Sequence, residues 1–75
     1  MSKESKNDKF KRIASIRTES ILMKIKALSR CANTRSYQYS RDEVRKIFNA
    51  INGEVRFAKA LFDKGVNKKK TEFKL

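Results

Sequence analysis

Ser40-Arg41-Asp42-Glu43-Val44-Arg45-Lys46-Ile47-Phe48-Asn49-Ala50-Ile51 is the stretch whose reading decides the fold. Ser40 followed three residues later by Glu43 is a capping box, in which each side chain satisfies a backbone N–H at the start of a helix. Tyr39 before the cap and Val44 at the fourth helical position are placed to form a hydrophobic staple. From there Val44, Ile47, Phe48, Ile51, Val55, Ala58 and Phe62 recur at helical spacing and make one apolar stripe. Gly65 is read as the left-handed residue that ends the helix, with Val66 folding back on Leu61 as in a Schellman motif. These signals predict a helix over about 41–64.

Upstream of that helix, Asn33-Thr34-Arg35-Ser36 has loop character, and residues 33–40 are read as the connection. Before it, Phe10, Ile13, Ala14, Ile21, Ile25, Leu28 and Ala32 fall near one helical face, predicting a first helix over about 8–32. Asp8 is the candidate N-cap, where its charge also suits the positive end of the helix dipole. Residues 1–7 read as a polar, disordered N-terminus, and residues 66–75 as a basic C-terminal tail carrying Lys68, Lys69, Lys70 and Lys74.

The fold class that follows is all-α, with residues 8–65 forming an antiparallel two-helix hairpin. Composition agrees, since a chain of 75 residues without proline and with only two glycines offers little to break a helix. One hairpin is a poor core, and domains this small usually need additional support. A second apolar patch lies beside each main stripe: Ile16, Met23 and Ala27 on the first helix, and Ala50, Phe57 and Leu61 on the second. Burying Ile16, Met23, Phe57 and Leu61 against a second copy gives a homodimeric four-helix bundle. The alternative is a monomer in which Phe10, Tyr37, Tyr39 and the tail wrap over the patch.

Several classes of chemistry are disfavoured. There is no histidine, hence no imidazole general base and no histidine metal ligand. The single Cys31 cannot form an internal disulfide or a thiolate metal site, and a reducing cytoplasm is the default compartment. Asp42 and Glu43 are neighbouring carboxylates that capping already explains. The two glycines are too far apart for a phosphate-binding loop. No stretch approaches the roughly 20 apolar residues that span a bilayer, and the N-terminus lacks the apolar centre of a signal peptide. The sequence therefore predicts a non-catalytic, cofactor-free, cytoplasmic protein without a membrane partner.

Charge points to the partner. Twenty Lys and Arg against eight Asp and Glu leave a formal net charge of +12, an excess that costs self-repulsion unless a polyanion is met. On the second helix Glu43 and Glu54 lie on one flank, while Arg41, Arg45, Arg56 and Lys59 lie on the other with Asn52 among them. On the first, Arg12, Lys26 and Arg30 share the outward face, interrupted by Glu19. Such rows can follow a phosphate backbone of DNA or RNA; any single cation reads better as an ordinary solvated side chain, and the case rests on their sum. In the loop, Arg35, Tyr37, Gln38 and Asn33 offer groups that stack on or hydrogen-bond to bases. Tyr37 is read either as a stacking platform or as a lid on the helix ends; Tyr39 is read as the staple.

The run Arg17-Thr18, Ile21-Leu22, Lys24-Ile25 and Ala27-Leu28 leads on to Asn33, Tyr37, Tyr39-Ser40, Asp42-Glu43-Val44, Lys46-Ile47-Phe48 and Ala50-Ile51. This pattern, over about residues 10–62, resembles small basic proteins encoded on plasmids, phages and integrative elements of Gram-positive bacteria. The resemblance implies a mobile-element setting and contributes no site residues. Two functions follow as expectations: nucleic-acid binding, or a protein-binding inhibitor or adaptor that uses the apolar patch against a host or defence protein. A structural RNA-associated factor is a third reading on charge alone.

Overall fold

The computed structural model describes residues 3–70, with side chains through residue 67. It contains two α-helices, α1 (Lys6–Ser29) and α2 (Arg41–Lys70), and one turn of 3-10 helix, Arg30–Ala32, directly after α1. No strand occurs among the described residues. The all-α class expected from the sequence is what forms. The chain divides into two units, Met1–Gln38 and Tyr39–Leu75, each built on one helix.

In the first unit the helix begins earlier than the periodicity indicated. Ser5, in extended backbone (φ −72°, ψ 165°), is the N-cap. Its Oγ accepts a 3.0 Å hydrogen bond from the Asp8 backbone N–H. Asp8 is therefore not the cap but a first-turn carboxylate, where it faces the positive end of the helix dipole. Two residues assigned to a disordered N-terminus, Lys6 and Asn7, are helical, and Ser5 holds the cap; Met1 and Ser2 lie outside the described residues. The signal is present in the sequence: Ser5 and Asp8 have the Ser-x-x-acid spacing seen again at Ser40 and Glu43.

At the other end, α1 tightens into the 3-10 turn instead of stopping abruptly. The Arg30 N–H donates to the carbonyls of Ala27 and Leu28, three and two residues back, closer than the four-residue spacing of an α-helix. Ser29 Oγ donates to the Lys26 carbonyl at 2.6 Å. Helical backbone thus runs to Ala32, as expected. Asn33 then organises the loop. Its carbonyl accepts from Ser36 N–H at 3.2 Å and Tyr37 N–H at 3.0 Å, and its Oδ1 accepts from Arg35 N–H at 3.0 Å, an Asx turn.

The second unit opens on the capping box. Glu43 N–H donates to Ser40 Oγ at 3.1 Å, and Ser40 N–H donates to Glu43 Oε1 at 2.8 Å. Helix α2 then runs for 30 residues without interruption. The expected stop at Gly65 is absent. No described glycine has a positive φ, so Gly65 is an ordinary helical residue and there is no Schellman turn folding Val66 onto Leu61. An interior glycine costs a helix only about 1 kcal/mol relative to alanine, and nothing following it, such as proline, forces an end. Residues 66–70 are consequently helix and not tail; residues 71–75, including Lys74, lie outside the described residues.

Neither unit has a buried core of its own among the described residues. The best-covered positions are half-buried: Ile13, Ala14 and Leu28 in α1 and Val44 and Ile51 in α2, which belong to the two apolar stripes, and Gly53, which does not. Other stripe residues are more open: Ile25 and Ile47 are each 41% exposed and Phe48 46%. No described helix is both long and apolar enough to cross a membrane.

Candidate nucleic-acid interface

The predicted contact residues fall into two sets, one per unit. In the first unit, Arg12 is two turns into α1 and its guanidinium is already engaged. Nε donates to Glu4 Oε2 at 2.8 Å and Nη2 to Glu4 Oε1 at 3.0 Å, a two-pronged pair. The Arg12 hydrogen bond holds the Glu4 carboxyl below its ordinary value, and Glu4 in turn raises the pKa of the guanidinium. Both side chains are substantially exposed, so water screens the pair and it is readily exchanged for another anion. Arg12 is thus a cation whose charge is offset by Glu4.

Lys26 and Arg30 are one turn apart at the far end of α1, with Arg35 and Tyr37 following in the loop. All four are exposed. The Tyr37 backbone is fixed through Asn33 and the residue is 52% exposed, which suits a stacking platform. Asn33 is different. Its amide oxygen already accepts in the Asx turn, so the side chain builds the loop and has one acceptor site fewer for any other partner.

In the second unit Arg41, Arg45, Arg56 and Lys59 are all exposed on α2, within about 60° of one another at 3.6 residues per turn. The helix brings them together as a row about 27 Å long at 1.5 Å per residue. Arg45 pairs with Asp42 through Nη1 and Oδ1 at 3.0 Å, with side chains 60% and 79% exposed. Asn52 lies in this row as expected, and so does Asn49, one turn beyond Arg45, which the charge-based reading had passed over. An amide carries no charge, and only its spacing from Arg45 and Arg56 marks it. Lys68, Lys69 and Lys70 form the last turn of α2; their side chains lie outside the described ones.

The apolar candidates are equally open. Ile16 is 61% exposed, Met23 69%, Phe57 62% and Leu61 54%. Within α1 and within α2 these patches adjoin the main stripes, as their spacing requires. No protein-family model, curated protein or solved structure matches the chain.

Proposed function

We propose that this is a small non-catalytic nucleic-acid-binding protein of a bacterial mobile element, acting mainly through phosphate-backbone contacts. The observation that carries the reading is the ordered row Arg41, Arg45, Arg56 and Lys59 on one flank of α2, in a chain with a net charge of +12. Cations held in line repel one another and are mildly unfavourable on a helix without a counter-ion. A phosphate backbone relieves that repulsion, and counterion release supplies the affinity. The exposed set Lys26, Arg30, Arg35 and Tyr37 adds a second contact region with a stacking ring, and Arg12 joins when phosphate displaces Glu4.

The assembly in this reading is a homodimer of antiparallel hairpins forming a four-helix bundle. Support comes from the openness of both main stripes and of Ile16, Met23, Phe57 and Leu61, since apolar surface gains about 25 cal/mol per Å² on burial. The same exposed patch supports a second reading, an inhibitor or adaptor that docks it on a host or defence protein. Light scattering distinguishes them: a tight dimer uses the patch up, whereas a stable monomer leaves it for a foreign partner.

The test is a fluorescence-polarisation titration of labelled duplex and single-stranded oligonucleotides at ~50 and ~200 mM salt, comparing the native chain with Arg41→Gln/Lys59→Gln. Each lost phosphate contact should flatten the log–log salt dependence on duplex DNA by about 0.9, hence about 1.8 for the pair per bound chain. No binding at the lower salt, or binding indifferent to salt, refutes the proposal.

A further inference from the structure

Four residues in the middle of α2 have the chemistry for reading bases as well as for neutralising phosphates. Arg45, Asn49, Asn52 and Arg56 recur at intervals of four, three and four residues, so they lie within an arc of about 60° on one side of the helix. All four are exposed. Along the axis they cover about 16 Å at 1.5 Å per residue, the rise of roughly five base pairs at 3.4 Å each. Between Val44 and Phe62 the sequence has a single acid, Glu54, and it falls on the opposite flank from these four.

The residue types matter more than the spacing. Asparagine is a poor interior helix former because its amide competes for backbone hydrogen bonds. Asn49 and Asn52 nevertheless occupy the centre of a 30-residue helix. Among the described residues neither amide makes a hydrogen bond that would explain its presence. Gly53 adds a third helix-weakening residue beside them. A Cβ there would meet nothing within 4 Å, so no contact within the chain requires glycine. Asn49 and Asn52 are exposed and flanked by two guanidinium groups, and the half-buried Gly53 beside them leaves a low spot at the edge of that face where another surface can approach the helix backbone.

We propose that this face of α2 enters the major groove of double-helical DNA and reads base edges. Asn49 and Asn52 supply the donor–acceptor pair that matches adenine, and Arg45 and Arg56 the paired donors that match guanine. Arg41 and Lys59, at the two ends of the row, take the bordering phosphates. Duplex DNA is the substrate because its major groove, about 12 Å wide, admits an α-helix, whereas the deep, narrow major groove of duplex RNA does not. The stripe Val44, Ile51, Val55 and Phe62 lies about a quarter turn around the helix from the reading face, so covering the stripe leaves that face open. Arg45 releases Asp42 on binding, an exchange between exposed groups. This inference rests on the nucleic-acid-binding reading above and adds sequence discrimination to it.

The experiment is selection of preferred duplexes from a randomised pool by the full-length protein, followed by titration of the selected duplex and a scrambled one. The native chain is compared with Asn49→Ala/Asn52→Ala. Alanine is the better helix former, so circular dichroism should show α2 intact, and a loss of preference cannot be ascribed to unfolding. The native chain should prefer the selected duplex, and the variant should lose about tenfold of that preference per amide. Its salt-dependent affinity for the scrambled duplex should be unchanged. Salt-dependent binding without any preferred duplex overturns the base-reading inference and leaves phosphate binding standing, as does a variant that keeps the full preference. Absence of binding to every duplex overturns the base-reading inference, and nucleic-acid binding itself falls only if single-stranded oligonucleotides are ignored as well.

Discussion

Gly65→Ala has opposite consequences depending on whether α2 stops at Gly65 or passes through it. In the structure Gly65 is helical, without positive φ, and nothing lies within 4 Å of the position an alanine Cβ would take. The substitution therefore introduces no clash and removes the excess backbone entropy that glycine loses on folding. A glycine in a helix interior is worth about 0.8–1.0 kcal/mol less than alanine. Gly65 is five residues from the last described helical position, Lys70, where fraying reduces the full effect, so about 0.7–1 kcal/mol is expected. That corresponds to about three- to fivefold slower amide hydrogen exchange at the following helical residues. Helicity at 222 nm should rise slightly. If the chain instead turned through a left-handed Gly65, an alanine there would cost about 1–2 kcal/mol. Faster exchange and lost helicity would then be seen, and either result would refute a continuous α2.

Two further predictions test the helix starts. Ser40→Ala removes the acceptor for Glu43 N–H and should destabilise α2 by about 1 kcal/mol, read as a lower thermal midpoint by circular dichroism; an unchanged midpoint would show that the box contributes nothing. For the Glu4–Arg12 pair, the folded carboxyl titrates below its ordinary value of 4.5. Its contribution is therefore complete above that value and is lost as pH falls through the lowered folded pKa. The Arg12 Nε–H resonance should move with a midpoint below pH 4.5, and a midpoint at or above it would mean that the pair does not form in solution.

These tests differ in how legible their features were. The capping box at Ser40 and Glu43 could be read outright because it is a four-residue pattern with one physical use. The same pattern at Ser5 and Asp8 was obscured by polar surroundings that resemble a disordered terminus. For the candidate interface, charge made Arg41, Arg45, Arg56 and Lys59 visible, whereas Asn49 carries no charge and emerged only as a neighbour in the helical row. Arg12 illustrates the converse. Its charge was obvious, but its partner Glu4 lies eight residues away, beyond the three- and four-residue spacings used to pair charges along a helix.

By itself the sequence determined that this protein is helical, that its second helix starts at Ser40, and that its cations lie in rows on helix flanks. Those properties depend on backbone propensity and on contacts a few residues apart. The structure decided where α1 begins, that α2 continues through Gly65, that Asn33 Oδ1 is engaged in building the loop, and which guanidinium groups already hold carboxylates. Each outcome is a competition between conformations separated by about 1 kcal/mol, and the balance is settled by which hydrogen bonds the assembled backbone can make.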